Sequence, residues 1–576
     1  MPSPGEPATV ESSPRRVSSA LPASVWWRSL GPALVVTSLL LAFRIIYLLW
    51  LCPYELAEDE AFYWEWSQHL AWSYNTKGPG IAWALWLTTN IFGDTIFGIR
   101  IVAATSCALG ALAVALTAAM LTRGNRTAAF AAAAGYNLIP AFAASGLLST
   151  IDGPYLACWA WAGAFAVAAC IYGRIWGWLG LGAALAIGFL FKYTILLVLL
   201  GIAVHIVVSY ASVSAANRVN GRARLRLHAC LCALIFALGL LPVLIWNAQH
   251  DWVTVRHLLG HLGLSGYAAG TDAVVSAAKP RWSPLWLGEL LAIQWLIIGP
   301  VLLAMIASVW RVLKSGRGAG SGLAIGRDNA AAHTSALLLH MAWPILLFYT
   351  CIALIARPEG NWPMAGFVTL LPLAAGWALF GKPADAEPAR SWPGSGYRRF
   401  VINAVLIYGV IGGIGMLRLD WVRAGLEGIS PKLARVVPIG RLTGNIELAA
   451  HVLRLQTALD AERSDGARSF VISQSYGRAS QLVFSLPGHP VVYAAQSRLG
   501  GRAVQQDYWP SHDLDAAHLR GRDVVIIADG DNAAPWKPYF DSVERIGQLD
   551  GAIRAARFGF IARGYKGLPP RKPSGY

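Results

Sequence analysis

Long apolar runs dominate the first three-quarters of the chain. Eleven of them approach or exceed the roughly 20 residues that a membrane-spanning helix needs. They lie near residues 29–51, 97–121, 127–147, 153–173, 175–191, 193–210, 229–247, 285–310, 336–356, 362–380 and 400–418. The pattern predicts a polytopic α-helical membrane protein of about 11 transmembrane helices. A shorter apolar run, residues 80–93, predicts an interfacial helix. It lies in what we call the first loop, residues 52–96.

Basic residues alternate between the predicted loops. With the N-terminus in the cytoplasm, the inner loops hold most of the Lys and Arg, and the outer loops hold Lys77, Lys192, Arg256, Lys279, Arg281 and Arg357. This is the distribution that the positive-inside rule describes. It predicts that the first loop lies outside and that the chain is a multi-pass membrane protein.

The pattern changes after residue 418. RSFVISQ, HPVVYAA and DVVIIAD are short β-branched runs bounded by turn residues, which predicts strands, and GRASQLVFSL predicts a helix between two of them. We therefore expect three parts. Residues 1–28 form a disordered cytoplasmic N-terminus, 29–418 a transmembrane domain, and 419–576 a small extracytoplasmic (periplasmic) α/β domain with a disordered tail.

The composition agrees with a membrane protein. Hydrophobic residues make up 56% and charged residues 14% of the 576 positions, whereas soluble proteins carry roughly 25% charge. A large soluble enzyme and global disorder are excluded. The net charge of +16 follows from the inner loops, so no nucleic acid partner is needed to explain it. The seven cysteines show no metal or disulfide spacing.

The first loop carries an acidic triplet, Glu58 to Glu60, at the start of AEDEAFYWEWSQHL. On a helix, Asp59, Tyr63 and Trp66 share one face. Trp64, Trp66 and Trp72 suit the lipid headgroup level. The triplet is explained equally well by a functional site and by the preference of acidic residues for a helix N-terminus.

Three further charged positions are candidates. Asp152 in LLSTIDGPYL has no charged neighbour; it is either a helix N-cap or a second carboxylate of a site. Lys192 in GFLFKYTILL either extends to the interface or pairs with an acid. Lys77 and Arg357 are additional outer cations. Such cations suit a phosphate, and a carboxylate suits general-base chemistry on a hydroxyl.

A set of motifs in order resembles a known family. DEAFYWEWSQHL, YNTKGPGIAWALW, STIDGPYL, GFLFKYT, PVLIWNAQHDW and RPEGNWP resemble GT-C class bacterial glycosyltransferases that use lipid-linked sugars, over roughly residues 30–380. The similar groups are the dolichyl-phosphate-mannose protein mannosyltransferase-like family and the aminoarabinose transferase of lipid A. Phe62 stands where the aminoarabinose branch has Arg, so the resemblance leaves the sugar and the acceptor open.

The resemblance implies roles for particular residues. It implies Asp59 as the proposed catalytic residue, and we expect Asp152 and Glu60 to be catalytic with it. Lys77 and Lys192 are the expected ligands of the lipid phosphate. Arg357, Tyr63, His250 and Asp251 complete the expected substrate-binding set. Lys77 precedes Gly78-Pro79 where the family has Pro-Pro. We assign no metal site; no cofactor is required, and a divalent metal is left open.

The predicted function is transfer of a sugar from a polyprenyl (undecaprenyl- or dolichyl-type) phosphate carrier to a lipid, glycan or protein acceptor on the outer face of the membrane. A transporter or flippase for lipid-linked sugars is the alternative, although transporters usually place charges near the bilayer midplane within repeated halves. A structural membrane subunit with an outer sensor domain is a third interpretation.

Overall fold

The computed structural model describes residues 23–211, 218–261, 283–318, 330–380, 394–464, 466–549 and 557–570. The predicted disorder of residues 1–22 and 571–576 lies outside these ranges. Residues 23–28 were expected to be disordered, and this is wrong, because they belong to a helix whose Trp26 is fully buried against Tyr172. Leu568 in the predicted tail is also buried.

The described part of the chain is mostly helical. In chain order, the helices are α1 (Ala23–Ser29), α2 (Gly31–Ile46), α3 (Glu58–Gln68), α4 (Gly80–Phe92), α5 (Ile96–Leu121), α6 (Arg126–Leu138), α7 (Pro140–Ser145), α8 (Asp152–Ala166), α9 (Ile175–Phe191), α10 (Leu196–Ala211), α11 (Arg218–Gln249), α12 (Val253–His261), α13 (Leu285–Ile298), α14 (Val301–Gly318), α15 (Ala330–Ala353), α16 (Met364–Leu373), α17 (Ser395–Leu417), α18 (Leu419–Ile429), α19 (Pro431–Ala434), α20 (Asn445–Glu462) and α21 (Tyr476–Ser485). Helices α2, α8 and α16 continue as π-helical turns.

Six helices among the described residues are long and apolar enough to cross a membrane. A seventh is formed if α13 and α14, bent by 108° at their break, are one span. The shorter apolar helices are Gly80–Phe92, Ile175–Phe191, Tyr193–Val208 and Met364–Leu379. Each predicted segment contains helix, but Pro140 and Lys192 interrupt the apolar runs around them. The count of eleven spans stays a prediction.

Helix α5 lies at the centre of the helical bundle. It packs against α2, α4, α6 and α8, and most of its side chains are buried. Many of these side chains are Ala, Gly, Ser or Thr, and such small residues let helix backbones approach closely in membranes. Arg100 is the one charged residue in the sequence of α5, and it is 1% exposed. A charge at such a position needs partners.

The chain after α19 forms a C-terminal α/β region built on a sheet with strand order β2-β1-β3-β5-β4. The strands are β1 (Phe470–Ser473), β2 (Val492–Ala494), β3 (Val524–Ala528), β4 (Ser542–Gln548) and β5 (Phe558–Arg563). Strands β2, β1 and β3 are parallel, and β5 is antiparallel to both of its neighbours. The three predicted strands and the helix α21 are confirmed. Strand β4 was not predicted because it is largely exposed and its sequence is polar.

Helix α3 is covered by the C-terminal region. Trp64 and Trp66 are 1% and 0% exposed, so their predicted place at the headgroups is wrong. The Trp64 ring packs 5.0 Å from that of Phe484 in α21. The C-terminal region, instead of lipid, therefore surrounds Trp64, and the ring of Trp66 stacks on Tyr74 of the first loop at 4.2 Å. Trp72 remains exposed.

Candidate active site

The three acidic residues at the start of α3 point to three different environments. Glu58 is partly buried against α21, where a Cβ on Gly477 would lie 2.7 Å from the Glu58 Cβ. Burial raises the pKa of Glu58, and the charges of Arg478 and Arg441 oppose this rise. Asp59 is exposed, and Glu60 is fully buried. Three consecutive carboxylates within one helical turn thus differ in burial, and the sequence alone did not predict this difference.

Glu60 is the centre of a buried polar network. Its carboxylate accepts two hydrogen bonds from Arg100, at 2.9 and 2.8 Å, and one each from the backbone N–H groups of Ala57 and Ser149. Arg100 also donates to the Tyr54 carbonyl. These contacts join the start of α3, the start of α5 and the turn before α8. Glu60 therefore positions the segments that carry Asp59 and Asp152, and its bonding capacity is taken up by protein groups.

Asp152 is held on both carboxylate oxygens. Lys192 Nζ donates to Oδ1 at 2.9 Å, and Asn361 Nδ2 donates to Oδ2 at 2.8 Å. The Asp152 and Lys192 side chains are 17% and 15% exposed. The sequence allowed Lys192 either to pair with an acid or to extend to the interface. The structure pairs it with Asp152.

Lys192 stands at the break between α9 and the 3₁₀ turn Tyr193–Ile195. Its ammonium lies 5.3 Å from the centroid of the Tyr155 ring, and the hydroxyl of Tyr155 accepts a hydrogen bond from Thr194 at 3.0 Å. Because helix α9 ends before Lys192, the Lys192 side chain extends to the start of α8 and reaches Asp152 there. The end of α9 therefore places Lys192 and Thr194 against Asp152 and Tyr155 of α8.

Lys77 lies close to this pair. Its ammonium donates to the hydroxyl of Tyr63, which is 2% exposed. A Cβ on Gly78 would be 2.4 Å from the Leu190 carbonyl oxygen, so only glycine allows the first loop to approach the end of α9 this closely. Burial lowers the pKa of Lys77, and the charges of Asp59 and Asp152 oppose the decrease. The first loop and the bundle therefore share one charged site.

Asp59 has a free carboxylate in this site: it accepts no hydrogen bond and forms no ion pair with any residue in the described ranges. Its charge acts on both Tyr63 and Lys77. A carboxylate that is free, exposed and beside cations is available to a substrate.

The C-terminal region contributes two residues to the same site. Arg502 lies over the ring of Tyr476, 5.8 Å from its centroid, and its charge acts on Tyr63 and Lys77. The ring of Tyr476 is 4.6 Å from that of Phe62.

The C-terminal region is anchored on α3 by Glu65, which is 2% exposed. The Glu65 carboxylate accepts hydrogen bonds from Ser480 and Gln506 and lies 3.0 Å from His512 Nε2. The region is therefore fixed to the first loop by a buried polar contact.

Three of the predicted substrate-binding residues make no hydrogen bond, ion pair or ring contact with the cluster within the described residues. Arg357 forms an exposed two-point ion pair with Glu289. The ring of His250 stacks on Trp246 and its Nδ1 lies 2.8 Å from the Trp246 carbonyl oxygen. Asp251 has a φ of 52° in the turn that follows α11. The segment RPEGNWP does reach the site, through Asn361 instead of Arg357.

Asn361, Tyr155, Thr194, Tyr476 and Arg502 were not predicted. Asn361 and Thr194 carry no charge, and Arg502 lies in a segment without a recognisable motif. Arg100 was detectable, because a single Arg in an apolar helix demands a buried partner. Within the described residues, no group of three or more His, Cys, Asp or Glu side chains is arranged to hold a metal ion.

Comparison with known proteins gives three results. A family model described as dolichyl-phosphate-mannose-protein mannosyltransferase matches residues 76–246. The lipid A galacturonosyltransferase RgtD of Rhizobium johnstonii is 27% identical over 337 residues, which cover 56% of this chain and 60% of that relative. The chain therefore matches less than two thirds of the relative's length.

Two crystal structures of ArnT from Cupriavidus metallidurans have a similar fold. The apo structure has a TM-score of 0.54 at 14% identity and covers 94% of this chain and 98% of its own. The structure bound to undecaprenyl phosphate has a TM-score of 0.55 at 14% identity and covers 93% and 99%. The predicted resemblance is confirmed: the chain is a multi-pass membrane protein similar to the GT-C class, the dolichyl-phosphate-mannose protein mannosyltransferase-like and ArnT-like glycosyltransferases.

Proposed function

We propose that this chain is an integral membrane glycosyltransferase that takes a sugar from a polyprenyl phosphate carrier at the outer face of the cell inner membrane. The observation that carries the proposal is the free carboxylate of Asp59 beside Lys77 and the Asp152–Lys192 pair. A free base next to clustered cations is what transfer from a phosphate leaving group requires.

Lys77 and Lys192 are the residues that bind the carrier phosphate. Both ammonium groups are partly buried, so their attraction for an anion is less screened than at an open surface. Lys192 has one protein anion, Asp152, and Lys77 has only the hydroxyl of Tyr63 as a direct partner among the described residues. A phosphate can therefore bind to Lys77 without displacing a protein carboxylate.

Asp59 acts as the general base. The acceptor hydroxyl oxygen forms a bond to the anomeric carbon as the bond from that carbon to the phosphate oxygen breaks. The hydroxyl proton passes to Asp59, and the electron pair leaves on the carrier phosphate, where the two lysines stabilise the added negative charge. The carrier supplies an activated sugar, so these steps need no soluble nucleotide.

Asp152 and Glu60 act as positioning residues. Asp152 fixes the Lys192 ammonium, and Asn361 fixes Asp152. Glu60 fixes the two backbone segments through Arg100 and Ser149. Arg357, His250 and Asp251 have no direct role in this scheme, since their contacts lie elsewhere.

A lipid is the acceptor that we favour over a glycan or a protein. The support is the name of the relative, a lipid A galacturonosyltransferase. Lipid profiles of a deletion strain and its parent test the function whichever sugar is transferred. We expect one glycosylated surface lipid to be absent from the deletion strain, restored by the parental gene and by Glu58→Gln, and not restored by Asp59→Asn. Full restoration by Asp59→Asn, or an unchanged lipid profile, would contradict the proposal.

Cysteine labelling in intact spheroplasts tests the outer face. Gln68, in the first loop, and Lys537, in the C-terminal region, are exposed, and each is replaced by Cys after the exposed native Cys230 and Cys351 are changed to Ser. An impermeant reagent should label both sites without lysis and should label Arg226→Cys only after lysis. The reverse pattern would place the site on the cytoplasmic face.

A further inference from the structure

Arg502 is a cation that the proposed transfer does not use. It comes from the loop between β2 and β3, and its guanidinium lies over Tyr476. Its backbone is tied to the first loop, because Asn75 donates to the carbonyl of Ala503 and to the side chain of Gln505. Arg502 is therefore held beside Lys77 by contacts on both sides.

The guanidinium of Arg502 has no hydrogen-bond or ion-pair partner among the residues that the structure describes, although the side chain is partly buried. Other arginines of the region do have acidic partners: Arg478 pairs with Asp529 and Arg545 with Asp531. Partly burying a charge costs free energy that a partner normally offsets. Five unused N–H donors in a planar fork suit a carboxylate or a phosphate.

The cations of the site form a series from the bundle to the C-terminal region. Lys192 is at the bundle end, against Tyr155. Lys77 follows, and both Lys192 and Arg502 act on its charge. Arg502 is at the far end, against Tyr476. The polyprenyl chain keeps the carrier phosphate at the membrane end of such a series, so a group at Arg502 lies beyond that phosphate.

We propose that Arg502 binds a negatively charged group, carboxylate or phosphate, that the transferred sugar or the acceptor carries in addition to the carrier phosphate. The inference rests on the proposed function and extends it to the substrate class. The site then selects an acidic sugar or an acidic acceptor, and the C-terminal region binds the acidic group through Arg502. Tyr476 holds the guanidinium in place by a cation–π contact.

The test compares parental protein with Arg502→Gln, Arg502→Lys and the control Arg545→Gln, which breaks an exposed pair of the same region. The first measurement is binding of undecaprenyl phosphate. The second compares undecaprenyl phosphate galacturonate with its neutral galactose counterpart as competitors for that binding. The third compares phosphorylated with dephosphorylated lipid A as acceptors in transfer.

We expect Arg502→Gln to bind undecaprenyl phosphate as the parent does. In one of the other two measurements, its preference for the acidic probe should fall about tenfold to a hundredfold. This is the effect expected from losing hydrogen bonds between two charged groups. Loss in the second measurement assigns the charge to the sugar, and loss in the third assigns it to the acceptor. Arg502→Lys should retain part of the preference, and Arg545→Gln all of it.

Two results would overturn the inference. Weaker binding of undecaprenyl phosphate itself by Arg502→Gln would make Arg502 a ligand of the carrier phosphate. If Arg502→Gln kept the parental preference in both the second and the third measurement, Arg502 would not bind an acidic group of the sugar or of the acceptor. A parent that binds no undecaprenyl phosphate would instead refute the proposed function, so the two failures are distinguishable.

Discussion

The two carboxylates of the site differ in how much of their bonding capacity the protein uses. Asp152, at the corner of α8 and α9, is bonded by Lys192 and Asn361. Asp59, on the first loop, has no such partner in the described part of the chain. A carboxylate with an ammonium partner is a weaker base than a free one, because the positive charge favours the ionised form. In the proposed mechanism, the same residue type therefore serves positioning in the bundle and proton transfer in the loop.

The difference follows from the elements that carry each residue. The bundle corner is closed by α8, α9 and the segment before α16, so a charge there must be paired to be tolerated. Helix α3 of the first loop is exposed at Asp59 and buried along its other faces. The backbone at Asp59 is held by the following residue, Glu60, whose side chain is fully buried and bonded to Arg100 and Ser149.

The largest effect is expected on removing the buried partner of Glu60. Arg100→Gln leaves the Glu60 carboxylate, 0% exposed, without its cation. Breaking a buried pair on one side typically costs about 3–5 kcal/mol. Thermal unfolding of the purified protein measures the loss, and Arg357→Gln, at an exposed pair, is the matched control. Parental stability of Arg100→Gln would mean that the Glu60 network does not hold the start of α3 and the turn before α8 in place.

A smaller effect is expected from Lys192→Met. It removes a ligand of the carrier phosphate, so affinity for undecaprenyl phosphate should fall about tenfold to a hundredfold. It also leaves Asp152 unpaired, which lowers stability. In the double variant Lys192→Met, Asp152→Asn, the unpaired charge is gone; stability should recover while affinity stays low. Parental affinity in both variants would exclude Lys192 from phosphate binding.

These two predictions show what the sequence could and could not provide. Asp59, Asp152, Lys77 and Lys192 were predicted together, with Arg357, because span parity puts these few charges on one side of the membrane and the family motifs contain them. The partners that distinguish Asp59 from Asp152 were not predictable. Asn361 is a neutral residue 209 positions beyond Asp152 in the chain, and contacts between such distant segments leave no local pattern. The same holds for the cover of α3: helix α21 was predicted, but its packing against α3 joins segments more than 400 residues apart, as the Ser480–Glu65 hydrogen bond shows.

A pH effect is expected for Lys77. Burial lowers the pKa of this ammonium below 10.5, and only the protonated form binds an anion. Affinity for undecaprenyl phosphate should therefore fall as the pH rises through the lowered pKa, earlier than an ordinary lysine would lose its charge. Lys77→Arg stays protonated throughout this range. Between the lowered pKa of Lys77 and 10.5, the binding by Lys77→Arg should change little with pH. An identical pH profile for the two proteins in this range would contradict the assignment.

The smallest effect is expected for Arg357→Gln. The pair with Glu289 is exposed, at 62% and 37% for the two side chains, and such pairs contribute at most about 1 kcal/mol. Turnover and affinity for undecaprenyl phosphate should both match the parent. A tenfold loss of affinity would return Arg357 to the site and would require the loop at 357–363 to close on the substrate.

Single-turnover kinetics of Asp59→Asn and Asp152→Asn test the division of roles directly. The assay mixes purified protein, saturated with the carrier-linked sugar that the lipid profiles identify, with the acceptor. We expect that Asp59→Asn binds the donor as the parent does and loses about 10²–10⁴-fold in the transfer rate. Asp152→Asn should bind the donor more weakly and keep most of the rate at saturation. The opposite pattern, with the rate lost in Asp152→Asn and retained in Asp59→Asn, would make Asp152 the base and contradict this division of roles.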